Sequence, residues 1–386
     1  MSTNVAESRN SGDYSAGQTA NEAPILESAQ SPKVPSAVEE ILRRGGIFGL
    51  GESYINNDWN TEDLSELLYR IVSGSLYPEL VSRKINLRLL YFLIKDRVRN
   101  SQIGKKAFEV AHRHYDLGND LFSTMLDADT MTYTCGYWKN ARNLEQAQRA
   151  KIDLLCKKLN LQPGMRVLDI GCGWGNFAEH AASRYGVSVV GLTVSQEQAK
   201  LARERCKGLD VDIVLEDYQK YEGMFDRIVS IEMIEAVGRK NMSSFFSMVA
   251  RCLKPSGLFG LQAISADTFT RSSSPVLDQY ILWLQKRIFP NGYLPNLQHI
   301  CQPERYGLII EDLQNFSADY AKTLRAWTER FEDGWTKLRP VYGEEFRRMW
   351  LFYLSGCEAL FRARMVQLYQ VVYAKGGVKN GYFSAR

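Results

Sequence analysis

The sequence predicts an α/β fold in which a doubly wound sheet follows a small α-rich domain. First, an apolar strand near residues 166–170 runs into glycines at positions 171, 173 and 175, and a helical pattern comes after them. Second, short apolar segments then alternate with helical patterns, which is typical of a parallel sheet covered by helices. Third, 386 residues with 45% hydrophobic side chains are enough for one large domain and a small one.

The chain divides into three predicted parts. Residues 1–32 are rich in Ser, Asn, Ala, Gln and Gly and nearly free of aromatic side chains, so we expect a disordered tail. Residues 33–105 are predicted to form the small domain, which has apolar residues at helical spacing at 64–71. Residues 106–386 are predicted to form the catalytic domain.

The apolar segments and the turn signals predict the elements of the large domain. After the glycine loop we expect strands near 187–192, 211–215, 225–231, 257–264, 308–316 and 365–374. Helices are predicted at 144–159, 196–206 and 241–253. The segment 267–300 is aromatic and interrupted by turn residues, and we expect it to contribute walls of a substrate pocket.

Positive charge is concentrated in two segments. Residues 83–106 carry eight basic side chains and one acidic one, a net charge of +7, and residues 337–386 carry nine and three, a net charge of +6. Each segment mixes these bases with Leu, Tyr and Phe. Two interpretations stay open: solvated helix faces whose aliphatic stems are buried, or a surface that binds anionic lipid headgroups.

Several kinds of site are disfavoured by composition. The seven cysteines include no C-x-x-C pair, and the only closely spaced histidines are His112 and His114. We therefore expect neither a disulfide framework nor a metal site. No signal peptide is evident, and no apolar run is long enough to cross a bilayer, so we expect a cytoplasmic protein. We expect no nucleic-acid partner.

The glycine loop predicts a nucleotide site. Glycines at alternate positions remove Cβ atoms, and the following helix presents free N–H groups to an anion. The spacing G-x-G-x-G after Asp169 differs from the dinucleotide pattern G-x-G-x-x-G. It is similar to the first motif of Rossmann-like, class I S-adenosylmethionine (SAM) methyltransferases, which implies that Gly171 and Gly173 contact SAM.

Several further motifs make the resemblance specific. They are HYDLGNDLF at 114–122, YTCGYW at 133–138, VGLT at 190–193, FPNG at 289–292, NF at 315–316 with DY at 319–320, and FRAR at 361–364. From about residue 35 onward the chain resembles the cyclopropane-fatty-acyl-phospholipid synthases. That resemblance implies addition of a methylene group from SAM to a cis double bond in an unsaturated phospholipid. It also implies peripheral contact with the inner face of the membrane and a homodimer.

The resemblance also implies the reacting site. In that family a bound bicarbonate removes a proton from the new methyl group, and its pocket maps to Cys135, Glu235, Gln262, Tyr320 and the backbone of Ile264. SAM contacts map to Tyr133 and Thr134 near the methionine end, Thr193 and Gln198 near the ribose, and Glu216 or Asp217 near the adenine. Glu232, three residues before Glu235, is a weaker candidate because we expect it to point differently.

Two departures from the family leave the product open. Gln262 and Ala236 occupy positions where these synthases have histidine, and an amide has no titrating proton. The segments 234–238 and 261–264 are similar to a branch of methyltransferases that make methyl- or methylene-branched acyl chains. N-methylation of a small amine and non-catalytic binding of lipid or SAM are further alternatives.

Overall fold

The computed structural model describes residues 36–81, 118–266 and 275–386. Its helices are α1 (Ser36–Ile55), α2 (Leu64–Val72), α3 (Pro78–Val81), α4 (Asn119–Met125), α5 (Leu144–Lys158), α6 (Asn176–Tyr185), α7 (Gln196–Arg205), α8 (Met242–Cys252), α9 (Pro275–Arg287), α10 (Leu297–Cys301) and α11 (Ser317–Arg362). The predicted tail 1–32, the basic segment 83–106, the two histidines 112 and 114, and residues 267–274 of the predicted pocket wall lie outside the described residues.

The strands form one sheet in the order β3-β2-β1-β4-β5-β7-β6. They are β1 (Arg166–Ile170), β2 (Ser188–Thr193), β3 (Val211–Leu215), β4 (Phe225–Ile231), β5 (Leu253–Ser265), β6 (Leu308–Asn315) and β7 (Gln367–Lys375). The first five strands pair in parallel. β7 is antiparallel to both β5 and β6, so the prediction of a parallel sheet is wrong at this edge. An apolar pattern does not encode strand direction. Here α11 connects β6 to β7, and β7 runs antiparallel to β6.

Short-range signals explain where the helices begin and end. The side chain of Asn143 accepts a hydrogen bond from the backbone of Gln146 at the start of α5, and Ser195 does the same for Gln198 at the start of α7. These caps satisfy backbone N–H groups that have no partner within the helix.

The long helix α11 is two helices joined at a kink. Pro340 lies inside it, and Gly343 has a φ of 72° that interrupts the helical backbone. A proline removes one backbone hydrogen bond, and glycine adopts positive φ without a steric penalty. The first half carries Tyr320 to the sheet, and the second half packs beside α1 and α2.

The N-terminal helices share a hydrophobic core with α9 and α11. At Gly51, an added Cβ would lie 2.6 Å from Trp283 Nε1 and 2.7 Å from Phe352, so α1 packs closely against both. Arg348 is buried, lies over the ring of Tyr54, and donates to the carbonyl of Trp59 at 2.7 Å. The division into a 33–105 domain and a 106–386 domain stays a prediction, because the predicted boundary lies outside the described residues.

Across the described ranges, no helix combines the length and the apolar character that a membrane-spanning helix needs.

We predict that Arg348→Ala destabilises the fold by about 3 kcal/mol, because it leaves buried oxygens of the 54–60 segment without their donor. The free energy of unfolding measured with urea checks this. Arg43→Ala is the control, since Arg43 is exposed and forms a surface pair with Glu39, and it should change stability by less than about 0.5 kcal/mol. Equal effects of the two changes would contradict the anchoring role of Arg348.

Candidate functional site

A cavity of about 350 Å³ lies at the carboxyl ends of the parallel strands, where α/β sheets bind ligands. Its other walls come from residues 131–134, residues 281–294 and α11. The predicted site residues that line it are Tyr133, Thr134, Gly171, Gly173, Thr193, Gln198, Glu216, Asp217, Glu235, Ile264 and Tyr320. Cys135 and Gln262 are buried and do not line the cavity, but each donates a hydrogen bond to Glu232, which does. The fold thus brings the predicted residues to one place.

The glycine loop forms one wall of the cavity. Gly171 and Gly173 have φ angles of 83° and 55°, and Gly175 caps α6 from a left-handed conformation. A Cβ at Gly171 would lie 2.6 Å from Met233, whereas one at Gly173 would meet only open space. The two glycines therefore place no side chain in the cavity, which leaves room for a ligand against the N-terminal end of α6.

The predicted ribose and adenine contacts lie beyond the end of β2. Thr193 Oγ1 donates to Gln198 Oε1 at 3.0 Å, and both side chains are largely buried. The backbone N–H of Glu216 donates to the carbonyl of Thr193 at 3.0 Å. Asp217 accepts from Gln219 N at 3.0 Å. Neutral hydrogen-bonding groups therefore stand at the end of β2, where a carboxylate often binds the ribose of a nucleotide.

Two buried ionisable groups, Lys151 and Asp169, line the cavity near Thr134, which is a predicted contact of the methionine part of SAM. Lys151 Nζ donates to Thr134 Oγ1 at 2.8 Å, and burial lowers the pKa of Lys151 to about 8. Burial raises the pKa of Asp169 to about 7, although Lys151 opposes that shift. Asp169 Oδ2 has no hydrogen-bond partner within the described residues. The pair offers opposite charges to the carboxylate and ammonium of an amino acid, so these residues fit the methionine part of SAM.

Three hydrogen-bond donors converge on the carboxylate of Glu232. Its oxygens accept hydrogen bonds from the backbone N–H of Cys135 at 2.9 Å, from Gln262 Nε2 at 2.7 Å and from the hydroxyl of Tyr320. The expectation that Glu232 continues the strand and so points differently from Glu235 is wrong, because β4 ends at Ile231 and both residues line the cavity.

Glu235 has a different environment, although it lies in the same cavity. Its Oε1 accepts from Ile264 N at 2.6 Å, and its Oε2 has no hydrogen-bond partner among the described residues. Burial, with the neighbouring charge of Glu232, raises the pKa of Glu235 to about 8. Burial also raises the pKa of Glu232, but the donors from Tyr320, Cys135 and Gln262 oppose it. The three donors therefore favour the charged form of Glu232, whereas the surroundings of Glu235 favour its protonated form.

Cys135 and Gln262 support this arrangement from behind. Burial raises the pKa of Cys135 well above its usual range, so it is a thiol and contributes its backbone N–H rather than a nucleophile. Gln262 Oε1 accepts from Gln370 Nε2 at 3.1 Å, which turns the Gln262 amide nitrogen toward Glu232. Gln370 was missed in the sequence, because it is adjacent to Gln262 only through the pairing of β5 with β7.

The residues present do not fit an additional bicarbonate. Three of the groups predicted to bind it, from Cys135, Gln262 and Tyr320, donate to Glu232 instead, and the N–H of Ile264 donates to Glu235. A further anion would meet negative charge without the donors that anions need. No group of side chains in the described part of the chain has the composition of a metal site.

The opposite end of the cavity is apolar. Its lining there includes Ile281, Leu284 and Phe289 from the predicted wall segment, and Leu324 and Leu360 from α11. Residues between 281 and 294 of the predicted wall segment therefore line the cavity, and their contact with a substrate stays a prediction. Apolar walls beside a polar, nucleotide-like half suit a hydrocarbon substrate that meets a nucleotide cofactor.

Comparison with known proteins shows which proteins the chain is similar to. Residues 102–371 match the family model described as mycolic acid cyclopropane synthetase. The cyclopropane-fatty-acyl-phospholipid synthase of Escherichia coli K12 is 46% identical over 355 residues, which are 92% of this chain and 89% of that protein. A tuberculostearic acid methyltransferase of Mycobacterium tuberculosis is 36% identical over 361 residues, 89% of this chain and 82% of that protein.

Solved structures have the same fold. A cyclopropane synthase from Mycobacterium tuberculosis superposes with a TM-score of 0.67 at 33% identity, over 69% of this chain and 98% of that one. A coclaurine N-methyltransferase superposes with a TM-score of 0.69 over 86% of this chain and all of the other, at 19% identity, which supports the fold alone. The predicted class I methyltransferase fold is therefore confirmed.

We predict that SAM binds more weakly as the pH is lowered through about 7, because protonation of Asp169 removes the charge opposite the ammonium. Calorimetric titration at about pH 6 and about pH 7 should show this loss, approaching tenfold per pH unit below the pKa. Asp169→Asn should weaken binding by about tenfold or more at the higher pH and abolish the pH dependence. Asp226→Asn is the control, because Asp226 lies at the start of β4 and does not line the cavity. Wild-type SAM affinity in Asp169→Asn would contradict the assignment.

Proposed function

This chain belongs to the mycolic acid cyclopropane synthetase family, and we propose that it adds a methylene group from SAM across a cis double bond of an unsaturated phospholipid acyl chain. It is a SAM-dependent C-methyltransferase. The observation that best supports the substrate is the single cavity in which the glycine loop and an apolar wall meet at Glu232, Glu235 and Tyr320. The E. coli relative, which matches over most of both chains, bears a name that describes this reaction.

SAM supplies an electrophilic methyl group when it is bound, and the protein's own residues hold its parts. Gly171 and Gly173 would lie against its methionine end, with Asp169 and Lys151 opposite the ammonium and the carboxylate. Thr193 and Gln198 would bind the ribose hydroxyls, and Glu216 or Asp217 the adenine. Tyr133 and Thr134 would close this half of the site toward the acyl chain.

The apolar half of the cavity suits an alkene. An isolated double bond is a weak nucleophile, so it has to be held close to the methyl group in a site without water. Its π electrons form a bond to the methyl carbon, the sulfur–carbon bond breaks toward sulfur, and a cation is left on the second alkene carbon. The ring of Tyr320 stacks on Phe361 at 4.5 Å in the cavity wall, and aromatic faces stabilise a nearby cation.

Ring closure then needs a base. Removal of a proton from the new methyl group frees the C–H electron pair, which forms the second bond to the cationic carbon. The resemblance to the family implies bicarbonate as this base. Since its predicted donors already bind Glu232 and Glu235, we assign no step to bicarbonate.

A second candidate product is a methyl- or methylene-branched acyl chain. Gln262 in place of histidine favours it, as does the similarity to a tuberculostearic acid methyltransferase. In that reaction a hydride shift moves the cation before a proton is lost, so the same first step gives a methylene branch. A saturated methyl branch needs a further reduction by an external hydride donor.

Contact with a membrane surface is assigned to the segment 83–106 rather than to 337–386. In the second segment, Arg347 and Arg362 form salt bridges with glutamates, Arg386 binds Asp312, Arg348 is buried, and Lys375 donates to backbone carbonyls. Bases used in this way are not free to bind headgroups. The first segment, with its net charge of +7, keeps the role of a lipid-binding surface, and a homodimer remains part of the proposal.

We predict that label passes from methyl-labelled SAM to vesicles of a monounsaturated phospholipid, and not to vesicles of a saturated one. The labelled product should resist mild catalytic hydrogenation, because a cyclopropane is stable to it whereas a methylene branch takes up hydrogen. Mass spectrometry distinguishes a product with a saturated methyl branch from the other two products, because it is heavier than either by two hydrogens. A product that hydrogenates readily would favour the second candidate, and no transfer of label would contradict both.

We predict that neutralising the bases of residues 83–106 weakens binding to anionic vesicles, and that added salt weakens wild-type binding in the same way, since each base near the surface contributes about 1 kcal/mol. Vesicle sedimentation measures both effects. Replacement of Lys337 and Arg339, two exposed bases of the other segment, is the matched control and should have little effect. An affinity for anionic vesicles that changes neither with the mutations nor with added salt would contradict the proposal.

A further inference from the structure

The hydrogen-bond geometry of Glu232 points to a role that the resemblance did not assign. We propose that Glu232 is the base that removes a proton from the transferred methyl group, and that its carboxylate takes the place of a bound bicarbonate. This inference rests on the proposed function. The carboxylate is part of the chain, so the reaction would need no external anion.

The donors around Glu232 are the first support. A bicarbonate ion and a carboxylate each present two oxygens on a planar carbon, so they suit the same donors. Three of the five residues predicted to bind bicarbonate donate to Glu232 instead: Cys135 through its backbone N–H, Gln262 through its amide and Tyr320 through its hydroxyl. They orient the carboxylate in the cavity between the glycine loop and the apolar wall.

The backbone at Glu232 is the second support. Its φ is 51°, in the left-handed region that disfavours a side chain with a Cβ. The conformation is held by the backbone bond from Glu232 N to the carbonyl of Gln262, 2.8 Å long. Strain of about 1–2 kcal/mol at a residue that lines a cavity is a feature of functional sites. Glycine would remove the strain, but it would also remove the carboxylate.

Gln262 completes the arrangement as a positioning residue. Its oxygen accepts from Gln370, so its nitrogen is the group that faces Glu232. An amide donates a hydrogen bond to the carboxylate without carrying a proton that would titrate in competition with it. This accounts for glutamine at a position where the family has histidine, since the partner of Gln262 is a carboxylate of the protein.

The proton balance of the step is simple. The C–H bond of the methyl group breaks, its electron pair closes the ring onto the cationic carbon, and the proton binds the ionised carboxylate of Glu232. The positive charge that SAM brings is cancelled by that proton transfer to an anion, which leaves neutral products. The proton passes to solvent after the lipid leaves, and Glu232 returns to its ionised form.

Turnover in buffer depleted of bicarbonate tests the proposal. The wild-type protein should keep its full rate there, and added bicarbonate should not raise it. Glu232→Gln should lower the rate by about 100-fold or more, with unchanged SAM affinity, and bicarbonate should not restore it because the amide still fills the space. Glu232→Gly should lose activity without bicarbonate and recover it when bicarbonate is added, because the donors then face an open space.

Folding controls separate loss of the base from loss of structure. Glycine suits the left-handed backbone at position 232, which offsets part of the cost of leaving three donors without the carboxylate, so Glu232→Gly should still unfold in one cooperative transition and bind SAM with wild-type affinity. A wild-type rate that depends on added bicarbonate, or a Glu232→Gln variant with full activity, would overturn the inference while leaving the proposed function intact. Absence of any lipid methylation by the wild-type protein would instead overturn the proposed function.

Discussion

The carboxylate of Glu232 is the constraint on which the reacting site depends. It gathers a backbone N–H from the loop before α5, an amide from β5 and a hydroxyl from α11. Burying a carboxylate without hydrogen-bond partners would cost about several kcal/mol. The three elements that supply the donors are therefore stabilised in the one arrangement that places all three donors on Glu232. Any shift of α11 relative to the sheet would move Tyr320 and leave that charge undersolvated. The chemistry and the packing of the domain are therefore linked through one side chain.

The site separates two carboxyl groups by their surroundings. Glu232 accepts hydrogen bonds from three donors, which oppose the rise in its pKa that burial causes, whereas Glu235 accepts from one donor and its pKa is raised to about 8. A carboxylate in an apolar cavity is a stronger base than one in water because its charged form is poorly solvated. In the proposed reaction, the same low polarity would keep water from the cation formed when the alkene is methylated. One feature of the cavity thus serves both steps of the proposed reaction.

Much of the fold was predictable, because the strands of the sheet are short apolar segments bounded by turn residues. The predicted β1, β3 and β4 have the observed bounds, and the others differ by a few residues. The direction of β7 was not predictable, since alternation of apolar residues reads the same in both directions. The position of the Glu232 side chain was not predictable from the strand pattern either. Its side chain was placed by extending the strand, but the backbone leaves the strand conformation at that residue, with a φ of 51°.

The sequence by itself determined the fold family, the SAM-type glycine loop and many of the residues that line the cavity, because those features depend on local patterns and on motifs. Only the tertiary structure decided what these residues do to one another. It showed that Cys135, Gln262 and Tyr320 donate to a carboxylate of the chain, and that Gln370 orients Gln262 across the β5–β7 pair. Such contacts join positions tens to hundreds of residues apart, and hydrogen bonding is set by distance and angle in space, which spacing along the chain does not specify.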